Sequence, residues 1–277
     1  LNPSSAASDV YKRQLPQLVT GQQFTTVGIS QLTTSQRHFD RPVLVATHTN
    51  NKWSLNGRCP WVTGADSVDT LVTGAISVDT HKTKATPHFF ILETKSSGVK
   101  IAPPMELLAL TGSRTSSIEL NHVSPAGEIA SKSESGPQTG GLGTTALAIG
   151  STRAALAILE QESLQRDQLK PIFAELRKEV TVIESMLFQF TEKGIDTQDR
   201  NLLRQRANTL VTRTSQAALT ASKGAGFVKG HPAEHLIRES MFYLVWSCPQ
   251  SVTESLLCNF AGLENQTSIP STNQLKD

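Results

Sequence analysis

The pattern of apolar and polar residues divides the chain into two halves. Up to about residue 129 the apolar residues come in short runs separated by turn residues, at intervals typical of an antiparallel barrel or sandwich. After Gly141 they recur every three or four residues, which is the period of a helix that is buried on one side. The runs that predict strands are residues 24–30, 43–47, 52–55, 70–77, 89–92, 99–101 and 117–123.

The second half predicts four long helices and a short fifth one. Pro171 fits the first turn of the second helix, and Gly194 fits its C-cap. The fourth helix should stop before Pro249. The first predicted helix begins at Leu142. The other four cover residues 170–193, 197–222, 232–246 and 251–260. Strands followed by helices indicate the α+β class, with an antiparallel β-barrel or sandwich domain followed by an up-and-down helical bundle.

Composition divides the chain into five segments. Residues 1–14 lack the basic and apolar regions of a signal peptide, so we expect a non-native or disordered leader. Residues 15–130 form the predicted β domain, and residues 131–140, rich in Ser, Gly, Lys and Glu, form a linker loop. The helical bundle extends over residues 141–262, and the polar residues 263–277 are predicted to be a disordered tail.

Charge and cysteine usage exclude several classes of function. With 26 basic and 24 acidic residues the net charge is +2, which gives no electrostatic argument for nucleic acid as a partner. No apolar run approaches about 18 residues, so no membrane span is expected. The 3 cysteines contain no CxxC pair. We therefore predict neither a zinc site nor a disulfide framework, and a cytoplasmic location.

Residues 53–66 are the most informative stretch of the first half, because they hold two of the chain's 3 tryptophans. Asn56 and Gly57 are predicted to form a two-residue hairpin turn, since a type I′ turn needs positive φ at both positions. Trp61 and Thr63 then fall on one face of a strand. An indole beside a hydroxyl on a rigid strand can hold a flat, polar-edged ring such as a flavin. The alternative is a core tryptophan beside an edge threonine.

The glycine pair Gly224 and Gly226, between the third and fourth helices, is a second candidate site. A glycine-rich boundary exposes backbone N–H groups at the next helix start, which suits a pyrophosphate, and the alternative is a simple helix cap. His231 and His235 lack a third ligand in the pattern, so no metal site is predicted. No GxSxG context supports a serine hydrolase.

Taken in order, residues 15–260 resemble the acyl-CoA dehydrogenase family. The family pattern W-x-L-x-G-x-K-x-W-I-T is similar to residues 53–63, with Cys59 in the place of the lysine. Arg166 follows Gly150 at the spacing of the arginine that contacts FAD in the family. The other similar segments are residues 115–123, 224–226 and 234–239, which resemble the end of the β domain, the GG-x-G motif and the E-R-L-x-R-D motif.

The resemblance implies a flavoprotein that binds FAD between its β domain and its helical bundle. Trp61 and Thr63 are expected against the flavin ring, and Ile29 and Ser30 on the second strand that contacts it. The residues expected near the adenosine diphosphate are Arg166, acting across a dimer interface, Gly224 and Gly226. The implied partners are an acyl-CoA or related thioester substrate, an electron-transfer flavoprotein, and further copies of the chain in a homodimer or homotetramer.

Departures from the family pattern bear on the chemistry. The first β loop, residues 30–37, lacks the acidic residue and the glycine of the family's T-E-P-x-x-G-S-D. Ser247 occupies the position of the usual catalytic glutamate, and Gly140 the alternative position, so the catalytic base is unknown. Cys248 is either a thiolate base or a small buried hydrophobe. The family's N-terminal helical domain has no counterpart, so the chain is expected to be a fragment.

The function that the resemblance implies is oxidation of the CH–CH bond of an acyl thioester, as in fatty acid metabolism. That reaction needs a base for the α-proton while hydride leaves the β-carbon, and a serine without an activating group is a poor base. Two alternatives therefore stay open. One is a flavin-dependent monooxygenase on the same fold, which requires no glutamate base. The other is a non-catalytic, flavin-binding homologue.

Overall fold

The computed structural model describes residues 15–33, 42–77, 86–129, 141–193 and 196–263. The chain divides into two compact units, Leu1–Thr139 and Gly140–Asp277, which we call the β unit and the helical unit. The predicted leader, the predicted linker and all of the predicted tail except residue 263 lie outside the described residues, as do Gly140 and Gly194.

Among the described residues, eight strands form one mixed sheet in the β unit. The strands are β1 (Thr25–Gly28), β2 (Leu44–Thr49), β3 (Lys52–Val62), β4 (Thr70–Ser77), β5 (Thr86–Glu93), β6 (Val99–Ile101), β7 (Ser116–Val123) and β8 (Gly127–Ile129). Their order is β6-β7-β3-β2-β4-β5-β8, with β1 also paired to β4. Both β1 and β2 pair with β4 in parallel, and the other pairs are antiparallel. The predicted α+β class is confirmed, although β8 was not predicted because its three residues lie in a polar stretch.

The hairpin turn lies upstream of its predicted position. Asn50 and Asn51 have φ values of 50° and 57° and join β2 to β3, whereas Asn56 and Gly57 lie inside β3. Both pairs contain residues that tolerate positive φ, so turn chemistry alone did not separate them. Gly57 is needed for another reason. Its φ is 133°, and a Cβ there would lie 2.1 Å from the carbonyl oxygen of Val43.

An irregularity near the end of β3 changes which side chains face the core. Leu55 and Cys59 point inward and are 0% exposed, as strict alternation requires. Between Cys59 and Val62 the strand advances by three residues, whereas its partner β7 advances by only two, from Ile118 to Ser116. This β-bulge turns Val62 inward at 0% exposure and leaves Trp61 outside.

The helical unit is built from three long helices and several short ones. Its helices are α2 (Leu142–Gln165), α3 (Lys170–Lys193), α4 (Thr197–Ala221), α5 (Lys223–Gly226), α6 (Pro232–Ser240), α7 (Phe242–Val245) and α8 (Gln250–Phe260), and α1 (Ser30–Thr33) belongs to the β unit. Apolar side chains of α2, α3 and α4 form one core cluster around Leu159, Ile183 and Leu210. A smaller apolar cluster contains Cys248, which precedes α8, together with Val252 and Leu256 of α8.

The predicted fourth helix is interrupted. The amide of Met241 bonds to the carbonyl of Glu239, two residues back, so the regular ladder of the α-helix stops between α6 and α7. The start of α6 follows the predicted chemistry. Pro232 occupies its first turn, and the His231 ring accepts a hydrogen bond from the Ala233 amide at 3.1 Å.

Among the described helices, α2 alone is long and apolar enough to cross a membrane by length and composition. A core helix of a soluble bundle meets the same criterion, and α2 buries Ala148, Leu156 and Leu159 within the helical unit. The expectation of no membrane span stays a prediction.

Candidate functional site

Trp61 and Thr63 lie together at the outer side of the β3 end. Trp61 is 47% exposed, Thr63 is exposed, and Val62 between them is in the core. The two side chains therefore share one face, as the alternation predicted. The alternative interpretation of Trp61 as a core residue is wrong, because the bulge has moved its indole to the surface.

Ile29 and Ser30 are brought to the same end of the sheet by a close packing contact. A Cβ on Gly28 would lie 2.8 Å from Cγ2 of Val62, so only glycine lets β1 approach β3 here. The predicted strand over residues 24–30 ends at Gly28, so the expectation that Ile29 and Ser30 lie on a strand is wrong: Ile29 directly follows β1, and Ser30 begins α1. The Ser30 hydroxyl is buried and has no hydrogen-bond partner among the described residues, which is a costly state for a polar atom. A polar cofactor at this edge would supply a partner.

Two further hydroxyls extend the site and were not predicted. The Thr63 hydroxyl lies 3.5 Å from that of Thr115, which lies 2.8 Å from that of Ser113. The amide of Gly64 donates to the carbonyl of Ser113 at 2.8 Å and fixes the loop that follows β3. The signal for Thr115 was its position just before a strand, but its pairing with β3 depends on long-range register.

An ion pair braces the same loop. Arg114 donates to both carboxylate oxygens of Asp66. These hydrogen bonds lower the pKa of Asp66, and the same partner raises the pKa of Arg114. The Asp66 carboxylate is thus held to its partner and keeps the loop next to Trp61 and Thr63 in place.

Cys59 is a core residue. It occupies the position at which the family pattern W-x-L-x-G-x-K-x-W-I-T has a lysine. Its sulfur lies 3.0 Å from the Thr73 hydroxyl, and the Gln31 amide donates to that hydroxyl at 3.1 Å. Burial raises the pKa of the Cys59 thiol to about 11, so it is neutral at ordinary pH. Cys59 therefore cannot supply the positive charge of a lysine at this end of the sheet.

The predicted diphosphate residues lie at one end of the helical unit. Arg166 follows α2 and donates to Glu162 at 2.5 Å and to the carbonyl of Ala221, the last residue of α4. Gly226 is buried, and a Cβ on it would lie 2.7 Å from the Cβ of Ser222. Gly224 has open space around its Cα. The structure thus brings Arg166 to the end of α4, next to the glycine pair, and binding by these residues stays a prediction.

Ser247 lies in a tight turn between α7 and α8. Its φ of 44° is in the left-handed region, which is uncommon for residues other than glycine. On α6, Glu234 pairs with Arg238 at 2.5 Å, and Glu239 contacts His235 at 2.9 Å. Within the described ranges, no group of three or more His, Cys, Asp or Glu side chains could hold a metal ion.

Comparisons with known proteins find likeness in structure alone. No protein-family model and no curated protein sequence matches the chain. Butyryl-CoA dehydrogenase from Megasphaera elsdenii superposes with a TM-score of 0.72 at 18% identity, over 89% of this chain and 71% of that one. A glutaryl-CoA dehydrogenase in complex with glutaryl-CoA superposes with a TM-score of 0.74 at 16% sequence identity, over 92% of this chain and 70% of that one. A glutaryl-CoA dehydrogenase from Mycobacterium smegmatis in complex with FADH2 superposes with a TM-score of 0.71 at 16% sequence identity, over 92% of this chain and 70% of that one.

These likenesses identify the architecture. The chain has the fold of the acyl-CoA dehydrogenases, comprising their β domain and their C-terminal helical domain.

Proposed function

We propose that this chain is part of an FAD-binding oxidoreductase of the acyl-CoA dehydrogenase type, acting on the CH–CH bond of an acyl thioester. The observation that carries the proposal is the exposed Trp61–Thr63 pair at the end of β3. It occurs on a fold shared with structures that contain glutaryl-CoA and FADH2. An indole left outside by a bulge offers an apolar face and a polar edge to a bound ring.

Each residue has a distinct part in holding the cofactor. The indole of Trp61 would cover one face of the flavin ring, and the hydroxyl of Thr63 would hydrogen-bond its polar edge. Ile29 and Ser30, which directly follow β1, would also contact the flavin, and the Ser30 hydroxyl lacks a partner among the described side chains. Arg166, Gly224 and Gly226 would lie along the adenosine diphosphate. When bound, FAD would accept a hydride equivalent from the substrate.

The partners proposed with this function follow from the same fold. They are an acyl-CoA or related thioester as substrate, an electron-transfer flavoprotein as electron acceptor, and other copies of the chain in a homodimer or homotetramer. A second copy is needed because Arg166 is proposed to reach a cofactor across a dimer interface. The proposed location is the cytoplasm.

Ser247 favours a second candidate function. A flavin-dependent monooxygenase, or a non-catalytic flavin-binding homologue, needs no carboxylate at this position. A serine hydroxyl has a high intrinsic pKa and takes up a substrate proton only beside an activating base. The α6 carboxylates of Glu239 and Glu234 contact His235 and Arg238.

Absorption spectroscopy separates these functions. The chain is mixed with FAD, freed of unbound cofactor and scanned, and we expect flavin bands to stay with the protein. Anaerobic addition of a panel of acyl-CoAs should then bleach those bands if the chain is a dehydrogenase. Oxygen consumption that depends on NADH and a flavin reductase, without bleaching by acyl-CoA, would favour the monooxygenase. Absence of protein-bound flavin would contradict all three flavin-dependent functions.

A further inference from the structure

Arg204, on α4, is a fully buried arginine whose charge is not balanced by a described side chain. It is 0% exposed, and its Nη2 donates to the carbonyl of Trp246 at 3.2 Å. Its Nε and Nη1 have no hydrogen-bond partner among the described residues. An arginine stays charged at ordinary pH, although burial lowers the pKa of this guanidinium. A buried cation is costly unless an anion and hydrogen-bond acceptors accompany it.

Arg204 differs in this respect from the arginines that form ion pairs in the described part of the chain. Each of those arginines contacts a carboxylate, in the pairs Arg114–Asp66, Arg153–Glu184, Arg166–Glu162, Arg213–Glu179 and Arg238–Glu234. Arg204 forms no such pair within the described ranges. The described part of the chain therefore does not supply the anion that would accompany it.

The segment that packs on Arg204 contains the start of α8. One turn before Arg204 along α4, the side chain of Asn201 donates to the hydroxyl of Ser251, in the first turn of α8, at 3.0 Å. One turn after it, Asn208 donates to the carbonyl of Tyr243 at 2.7 Å. The bond made by the guanidinium itself lies between these two contacts. Arg204 is therefore covered by the turn that leads into α8.

The start of α8 brings hydrogen-bond donors of its own to this turn. The helix has 11 residues, its N-cap Pro249 makes no side-chain cap hydrogen bond, and its first turn contains no acidic residue. The first amides of a helix have no acceptor within the helix, and the helix dipole makes this end positive. An uncapped helix start and an unpaired buried guanidinium thus occur at the same turn, and both favour a negatively charged acceptor.

The surroundings restrict the anion to a small one with a single charge. The apolar cluster of Cys248, Val252 and Leu256 lies beside the turn. One guanidinium carries one positive charge, so a divalent anion such as sulfate would leave a charge unbalanced in this enclosed position. Among monovalent anions, chloride and bromide are less strongly hydrated than fluoride and therefore lose less on leaving water.

We propose that Arg204 and the start of α8 form an enclosed site for a small monovalent inorganic anion, for which chloride is the probe. The bound anion accepts hydrogen bonds from the Nε and Nη1 atoms, which have no acceptor among the described residues. It also stabilises the turn that contains Ser247, whose φ of 44° is in the left-handed region. Anion binding involves no flavin, so the inference is independent of the proposed function.

The first test measures the thermal stability of the full chain while chloride replaces fluoride at constant ionic strength. Unfolding is followed by circular dichroism. A ligand that binds only the folded state raises the midpoint with the logarithm of its concentration, and we expect a rise of about 3 °C for each tenfold increase in chloride above its dissociation constant. Bromide should act like chloride. The general salt effect has the opposite sign, because strongly hydrated anions favour the folded state.

Two variants on α4 identify the role of the guanidinium. Arg204→Met keeps a long side chain without charge and should abolish the dependence of the midpoint on chloride. Arg213→Met is the matched control, because it removes an arginine of the same helix that is paired with Glu179 at 3.0 Å, and it should keep the dependence. Circular dichroism at low temperature checks that each variant retains its helices.

Chlorine NMR of the chloride ion tests binding without unfolding the chain. The wild-type chain should broaden the chloride line, and bromide should reverse the broadening whereas fluoride should not. Arg204→Lys keeps a positive charge and should retain part of the broadening. If Arg204→Met does not fold, these measurements on the wild-type chain and on Arg204→Lys decide.

Three results would each overturn the proposal. The first is a wild-type midpoint that does not rise when chloride replaces fluoride. The second is a chloride line whose width in the presence of the wild-type chain does not respond to bromide. The third is a folded Arg204→Met variant that keeps the full chloride dependence, because the anion would then bind elsewhere.

Discussion

The two ends of strand β3 each carry a tryptophan, and the two indoles are in opposite environments. Trp53 is half-buried, and its Nε1 donates to Glu128 at 3.0 Å. The rings of His48, His88 and Phe90 lie 4.6, 4.8 and 5.2 Å from it. Trp61 is 47% exposed, and no described aromatic ring packs against it.

The difference comes from the backbone and not from the side chains. Two residues at an even separation on a regular strand face the same side, so Trp53 and Trp61 should both point inward. The bulge between Cys59 and Val62 shifts the alternation by one and sends Trp61 outward. One indole therefore stabilises the sheet, and the other is available to a ligand.

The largest predicted loss of stability comes from a substitution in β3, between the two tryptophans. Gly57→Ala would place a Cβ 2.1 Å from the Val43 carbonyl oxygen, at a φ of 133°. We expect a loss of about 3 kcal/mol in the free energy of unfolding, measured with urea. Gly112→Ala is the matched control, because its Cβ would meet nothing within 4 Å. Equal stability of the two variants would mean that β3 relaxes freely and that its geometry does not determine where each indole points.

Truncating the two tryptophans should separate their roles in stability. Trp53→Ala removes the ring contacts and the bond to Glu128, so we expect a loss of about 3 kcal/mol. Trp61→Ala should change the free energy of unfolding by less than about 1 kcal/mol, since its indole is exposed at the end of the strand. Urea unfolding followed by circular dichroism compares them, and similar losses for both variants would refute the distinction.

A smaller loss of stability is expected from substitutions of Glu128, whose side chain joins three strands around Trp53. Its carboxylate accepts from Trp53 at 3.0 Å and contacts His88 at 2.7 Å. Glu128→Ala leaves the indole N–H without this acceptor and should cost about 1–2 kcal/mol. Glu128→Gln keeps an acceptor oxygen and should cost less. If the glutamine variant loses as much stability as the alanine variant, charge rather than hydrogen bonding holds the cluster.

The smallest effect is expected at the Trp61 end, from the exposed pair of Asp66 and Arg114. The hydrogen bonds from Arg114 lower the pKa of Asp66 in the folded state. The stability that this pair contributes is therefore present above the unfolded pKa of about 4 and is lost as the pH falls through the folded value. Asp66→Asn should be slightly less stable at neutral pH, and its difference from the wild type should shrink in acid. A difference that is constant between neutral and acidic pH would contradict the ion pair.

Local patterns predicted most elements of the fold, and long-range pairing explains the differences. The helix over residues 170–193 has its predicted bounds, because a strong three-to-four period and Pro171 define it locally. The position of the hairpin turn and the interruption at Met241 were not predicted. Asn50 and Asn51 looked no more turn-like than Asn56 and Gly57, and only the register of β2 on β3 distinguishes them.

The candidate site could be predicted only in part, because its geometry also depends on long-range pairing between strands. Trp61 and Thr63 on one face follow from alternation, but the outward direction of that face depends on a bulge set by pairing with β7. Thr115 and Ser113 reach Thr63 only through that pairing.

The most direct test of the account is the affinity for FAD of variants at the outer face of β3. In a titration of the chain with FAD followed by flavin fluorescence, Trp61→Ala should bind at least about tenfold more weakly than the wild type, a difference of about 1.4 kcal/mol. Trp61→Phe keeps a flat ring and should bind nearly as well, and Thr63→Val should weaken binding more than Thr63→Ser. Unchanged FAD affinity in Trp61→Ala and Thr63→Val would contradict the central claim that this face holds the flavin.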